Sequence, residues 1–220
     1  MICDSNGLVV TVKTFPGNLH DSVTFFDTYQ SLPGWVKMRT YNLALDAGYK
    51  TPGIAKFLAE EEITGYFPYK KPMTKKGFFR KYEYAYDKVL DQYVCPMGEA
   101  LKYSTTNRGG YREYKSNKKQ CENCPLKDRC TQSQNSTKVI TRHIWQEYLD
   151  EAEFTRHTRR WKEIYPRRKE TIERVFAENK EHHNLRFTRL RGLQKNQDQA
   201  TMIFACHNLV KLARWKWNKA

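Results

Sequence analysis

The sequence predicts an α/β fold interrupted by a small β-rich insert. Three observations carry this. Strand and helix signals alternate through residues 1–70, tyrosine, lysine and glycine dominate from about Thr74 to Ile140, and the remainder reads as helix. With 220 residues the chain can form one sizeable domain plus a small insert. The expected divisions are 1–73 for the first part of the core, 74–140 for the insert and 141–220 for its helical remainder.

Each element has its own signal. "ICDSNGLVVTVKTF" reads as a strand end at Met1–Cys3, a Ser5-Asn6-Gly7 turn and a strand from Leu8 to Phe15. Only Met1–Cys3 remain to pair with that strand, so the chain is expected to begin inside a hairpin. "PGNLHDSVTFFDTYQSL" reads as a loop entering a helix, with Asp21 or Ser22 as the cap. "YNLALDAGYK" reads as a strand from Tyr41 to Leu45 that ends at Asp46. Thr51 before Pro52 starts a helix, and "ITGYFPYK" is the next strand. "KYEYAYD" and "LDQYVC" are short β pieces of the insert. "WQEYLDEAEFTRHTRRWKEI" reads as one helix, and Pro166 starts another. "ATMIFACHNLVKLARW" reads as an amphipathic helix with Ile203, Phe204, Leu209, Val210 and Ala213 on its apolar side.

Composition narrows the function. Hydrophobic content of 39% and aromatic content of 14% exclude a disordered chain. No apolar run approaches the roughly 18–20 residues of a membrane span. "MICDSNGLVV" has no basic region before an apolar run, so the expected location is the cytoplasm. Lys and Arg number 39 against 24 Asp and Glu, a net charge of +15. That excess favours a polyanion, because each neutralised phosphate releases condensed counterions. A merely basic soluble protein is the plainer alternative. No long basic amphipathic anchor points to a membrane surface.

Cys95, Cys121, Cys124 and Cys130 lie in "VCPMGEA" and "CENCPLKDRC". Two thiolates at C-x2-C spacing can point at one tetrahedral ion, and the other two would complete it. In a reducing compartment structural zinc is favoured, with an iron–sulfur centre or free thiols as alternatives. A closed four-thiolate site leaves no open position for catalysis. Cys3 and Cys206 read as small buried apolar residues.

Asp46 ends a short buried strand, and Glu173 lies on a late helix with Lys180 two turns on, on the same face. Alone, Asp46 reads as a turn residue before Gly48, and Glu173 as a solvated helix acid. Acids from a strand end and a packed helix can also converge to hold divalent cations. His20 and Asp21 read as loop and cap residues. His182 and His183, being adjacent, point to different faces. Trp145, Trp161, Trp215 and Trp217 read as packing residues, although the last two, among lysines, could stack on bases.

These stretches, in order, resemble the DDE transposases of bacterial insertion sequences. "FPGNLHDSVTF" resembles that family's segment after the third strand, and "LALDAGYKTP" its second catalytic aspartate. "ETIERVFAENKEHHNLRFTRLRGL" resembles its glutamate helix, and the cysteine motifs resemble the insert of one branch. The resemblance implies an RNase-H-like mixed sheet flanked by helices. It implies Asp46 and Glu173 as catalytic ligands of Mg²⁺ or Mn²⁺, and Lys180 as a contact to transposon-end DNA. The family places an Arg four residues before the Glu and a Tyr three before that. Here Lys169 and Pro166 occupy those positions, while Tyr165 and Arg168 each sit one residue earlier. DNA, as transposon ends and target, is the implied partner, with a homo-dimer possible in the intact protein.

The family's first aspartate and its strand have no counterpart in this sequence. The expectation is an N-terminally truncated product, or one half of a gene read as two frames. Alone it would be inactive or nearly so, and poorly stable. The alternatives are a non-enzymatic zinc-containing DNA-binding module and an RNase-H-like nuclease without strand transfer.

Overall fold

The computed structural model describes residues 1–217, a mixed α/β protein. It divides into two compact units: Met1–Tyr69 with the described chain from Tyr148 onward, and Lys70–Glu147. No helix among the described residues is long and apolar enough to cross a membrane.

The first unit opens with a hairpin of β1 (Ile2–Cys3) and β2 (Val9–Thr11), antiparallel, with Cys3 opposite Val9. Asp4 shapes its turn, accepting from the backbone N–H of Asn6 at 2.9 Å and of Leu8 at 2.8 Å. Gly7 takes φ +78°, a left-handed conformation that favours glycine. Helix α1 (Asp21–Gln30) follows. Its cap is His20, whose Nδ1 accepts from Ser22 N, rather than Asp21 or Ser22. The chain enters the helix one residue early, so Asp21 is already helical and its carboxylate is released from capping.

Helix α2 (Gly34–Lys37) is a single turn. Strands β3 (Asn42–Ala44) and β4 (Thr64–Tyr66) then pair in parallel around helix α3 (Pro52–Glu60). Thr51 caps α3 through Ile54 N, with Pro52 in the first turn where its missing N–H costs nothing. Phe25, Tyr29, Leu45, Ile54, Leu58 and Phe67 form the main core of this unit. The two strand pairs are not hydrogen-bonded to each other.

The second unit is a five-stranded antiparallel sheet in chain order, comprising β5 (Ala85–Asp87), β6 (Gln92–Val94), β7 (Ala100–Thr106), β8 (Tyr111–Lys115) and β9 (Val139–His143). Two short helices, α4 (Lys118–Glu122) and α5 (Lys127–Cys130), interrupt it before β9. Its core is aromatic: Phe79, Tyr84, Tyr93 and Tyr114 surround Leu101 and Ile140.

The helical remainder departs from the sequence reading in two places. The expected single helix after Trp145 is two, α6 (Gln146–Arg156) and α7 (Arg159–Ile164). Thr158 makes the break. Its hydroxyl donates to Thr155 O at 2.7 Å and accepts from Trp161 N at 3.3 Å, closing one helix and capping the next. A 3₁₀ turn over Tyr165–Arg168 and a π turn over Lys169–Glu173 lead into α8 (Arg174–His182). Helix α9 spans Leu193–Trp217 and buries Ala200, Phe204 and His207. Leu209 and Val210, expected on its apolar side, are exposed, because the face that packs runs through 200, 204 and 207. Cys206 is also exposed and Cys3 half-buried, so neither is the buried apolar residue expected.

Asp91 ties the second unit together. It accepts from the hydroxyls of Tyr114 at 2.6 Å and Tyr86 at 2.7 Å, which hold its carboxyl below the usual aspartate range. A carboxyl depressed in the folded state stabilises fully above its unfolded pKa of about 3.9 and loses that contribution as pH falls through the lower, folded value. Urea denaturation at pH 5 and pH 3 should therefore show a larger loss in the parent than in Asp91→Asn. Equal losses would show that Asp91 does not carry the acid sensitivity.

Candidate active site

The site is built where β3 ends and the helix of Glu173 begins. Leu45, buried just past the strand, donates to Tyr66 O at 2.9 Å. The chain then turns outward. Asp46 Oδ1 accepts from Ala47 N at 2.7 Å and caps the Ala47–Tyr49 turn. The Asp46 side chain is 62% exposed and open to ligands.

Three side chains at helical spacing bring the later segment of the chain to it. Trp161 Nε1 donates to Phe67 O at 2.8 Å, just past β4. The Trp161 ring stacks on Tyr165 at 4.7 Å and 8°. Arg168 lies over the Tyr165 ring and donates to its hydroxyl at 2.9 Å. Its Nη1 then sits 3.7 Å from Asp46 Oδ1.

Glu173 is exposed at the end of the π turn. Burial pushes the Tyr165 hydroxyl pKa up, Arg168 draws it down, and both Asp46 and Glu173 push it up again. Both carboxylates are therefore within electrostatic reach of one phenol. Burial likewise raises Tyr49, with Asp21 and Asp46 adding to the effect and Arg168 opposing it. Asp21 packs on the turn itself: a Cβ on Gly48 would meet its Oδ2 at 3.0 Å. The sequence reads Asp21 as a helix cap. The signal available was Gly48, where only a hydrogen leaves room for a neighbouring carboxylate. Even so, no group of three or more His, Cys, Asp or Glu side chains among the described residues is close enough to hold a metal ion.

Of the basic residues expected here, Arg168 meets Asp46, together with Tyr165. Lys169 is exposed in the π turn. Lys180 is exposed, with Nζ 5.8 Å from the centre of the Phe176 ring.

In the second unit Cys95 and Cys130 pack against the aromatic core, and Cys130 Sγ lies 3.1 Å from the Tyr84 hydroxyl. Burial pushes the Cys130 thiol up, while Cys121 and Cys95 are close enough to add to that rise. Cys124 joins Cys121 through a backbone bond of 3.4 Å within the knuckle. The thiols are gathered without meeting at ion-binding distances.

The sequence profile of the transposase DDE domain matches residues 94–213, more than half of the chain. The chain belongs to this transposase family. The matched stretch holds the cysteine motifs, Arg168, Glu173 and Lys180, and it begins after Asp46. No curated protein and no solved structure shows a significant match.

The cluster around Asp46 and Arg168 carries one costly feature. The Arg168 side chain is only 14% exposed, and its Nε is shut from solvent without a partner. A buried unsatisfied donor costs about 1–3 kcal/mol. Arg168→Met, which keeps the volume and removes the charge, should leave stability unchanged or raise it by about 1 kcal/mol. Thermal denaturation checks this, and a loss above about 2 kcal/mol would make Arg168 a structural support instead.

Proposed function

We propose that the chain carries two of the metal-binding carboxylates of a DNA transposase, on an RNase-H-like core, and is inactive by itself. The reaction of the intact enzyme is metal-dependent phosphoryl transfer that cuts and joins DNA ends. One arrangement supports the reading: Arg168, five residues before Glu173, lies 3.7 Å from Asp46 and donates to Tyr165, whose hydroxyl both carboxylates push up.

Two hard oxygen donors fit Mg²⁺, which is held by one or two carboxylates and completed by water and substrate phosphate. When bound, such an ion polarises a phosphate oxygen and activates a water or a 3′ hydroxyl. The chain's own residues do the rest. Arg168 neutralises Asp46 and is placed to grip a phosphate once a cation takes over that role. Tyr165 orients Arg168, and Lys169 and Lys180 offer exposed charge to the DNA backbone. The net charge of +15 supports the same substrate.

Inactivity follows from the donor count. In-line displacement between two ions needs a third carboxylate to fix their positions. The two separate strand pairs of the first unit support an incomplete sheet. A strand carrying that acid, supplied by another segment or chain, would complete both.

The reading predicts weak Mn²⁺ binding, seen by electron paramagnetic resonance, that is lost in Asp46→Asn and in Glu173→Gln. It also predicts no nicking of a transposon-end duplex by the chain with Mg²⁺. Robust cleavage would overturn the inactivity. Mn²⁺ binding indifferent to both substitutions would favour the non-enzymatic DNA-binding module.

For the second unit we propose that Cys95, Cys121, Cys124 and Cys130 close on a structural zinc. Its effect would be to fold a small unit, as bound metal does elsewhere. Protein purified without chelator should release about one zinc per chain to a colorimetric chelator, and Cys121→Ala should release less. Protein free of zinc and equally stable in both forms would sink the assignment.

A further inference from the structure

Helices α8 and α9 enclose a cleft of about 670 Å³. Glu170 of the π turn and Arg174 and Glu178 of α8 line one wall, and Lys211, Arg214 and Trp215 of α9 line the other. This is not the face that carries Glu173. At 100° per residue, positions 174 and 178 lie roughly 100–140° round the helix from 173, whereas Lys180 returns to within about 20° of it.

The cleft is built on a buried polar pair. Asn179 Nδ2 donates to Val175 O at 2.7 Å, which fixes the orientation of the amide. The same nitrogen lies 3.2 Å from His207 Nδ1. Nδ1 is therefore the acceptor, and the ring proton sits on Nε2. Burial pushes the His207 pKa down, with Glu178 and the Gly7 backbone offsetting only part of the effect, so the ring is neutral near pH 7. Its Nε2–H is shut from solvent and makes no hydrogen bond of normal geometry among the described residues. The Gly7 backbone is the acceptor on that side of the ring.

The charges around it are unevenly committed. Arg174 is held by Glu178 at 2.9 Å. Lys211 and Arg214 make no ion pair among the described residues, and Lys211 Nζ lies 6.0 Å from the centre of the Trp215 ring. Arg214, Lys211 beside Glu178, and an indole therefore share one concavity with the carboxylate of Glu170. The cleft is of ligand-pocket size, enough for a nucleotide and too confined for a duplex. A basic groove with an aromatic platform is how unpaired strands are held.

We infer that the α8–α9 cleft binds an unpaired stretch of DNA, with a phosphodiester on Lys211 and Arg214 and a base against Trp215. The inference rests on the reading that this chain works on DNA, but it needs neither Asp46 nor Glu173.

The test is fluorescence anisotropy of the full chain with a labelled single strand of about 12 nucleotides and with the matching duplex. Lys211→Gln combined with Arg214→Gln should weaken single-strand binding at least about tenfold at ~0.1 M salt and lower the log–log salt slope by about 1.4, two counterions at ~0.7 each. Trp215→Leu should weaken it about tenfold without changing that slope. Lys211→Arg with Arg214→Lys, which keeps both charges, should retain most of the affinity and controls for folding. Parental affinity in the Gln double variant overturns the cleft assignment, and so does equal weakening toward duplex. Inorganic phosphate or poly-glutamate competing as well as unlabelled single strand overturns it in favour of a free anion or an acidic protein. Asp46→Asn and Glu173→Gln should leave this binding intact. A parent that binds no DNA at all would remove the broader reading as well, whereas DNA binding untouched by the cleft variants removes the cleft alone.

Discussion

The site depends on one stack of side chains. Trp161, Tyr165 and Arg168 form a ladder that begins on the Phe67 carbonyl and ends beside Asp46. Magnitudes show which rung holds it. Aromatic stacking contributes about 0.5–1.5 kcal/mol beyond area burial, and the indole hydrogen bond about 1 kcal/mol more. The Arg168–Asp46 contact, at 3.7 Å with a 62% exposed carboxylate, is screened and worth about 0–1 kcal/mol. The helix is therefore positioned by the stack, not by the ion pair. Asp46 can exchange its arginine for another cation without the helix leaving its place.

A second constraint fixes the other side of the same helix. The hairpin of the first unit is covered on both faces, as strand alternation allows. Ile2 and Val10 pack on the main core, while Met1 and Val9 pack with Val175, Ala200 and Phe204. Its outer edge is closed by side-chain amides of α9. Asn208 accepts from Val9 N at 2.9 Å and donates to Val9 O at 2.8 Å, and Gln197 pairs in the same way with Thr14 N and Val12 O. Two amides stand in for a neighbouring strand and blunt an edge that would otherwise invite pairing. This holds α9 against α8, and so creates the cleft.

Much of this was legible in the sequence where a single residue type has a local job. Thr51-Pro52 marked a helix start, Asn6-Gly7 a turn, and Asp46 a strand end, because capping and positive φ are decided within a few residues. What was not legible depended on the tertiary partner. Thr158 looked like any threonine within a helical pattern until its hydroxyl was seen to serve both helices. The buried face of α9 was misjudged because Asn208 and His207, polar residues, point inward to bond the hairpin and α8, which leaves Leu209 outside. The family spacing falls on Lys169 and Pro166, with Tyr165 and Arg168 one residue earlier, and nothing in the spacing shows that the Trp161 stack brings Arg168 beside Asp46.

The stretch before α8 is irregular. An overwound 3₁₀ turn at Tyr165–Arg168 is followed at once by an underwound π turn at Lys169–Glu173. At 100° per residue, 175 and 179 fall within about 40° of 161, so a uniform α-helix would already carry them near the face of the ladder. The successive tightening and widening partly cancel, so that α8 resumes regular geometry with Val175 and Asn179 buried. Such π turns cost hydrogen-bond quality and persist where the surrounding packing over-determines them. Here packing acts from both sides, and Glu173 is the residue on which the distortion ends. One helix can then present a carboxylate on one face and a basic cleft on another, each held by a different set of partners.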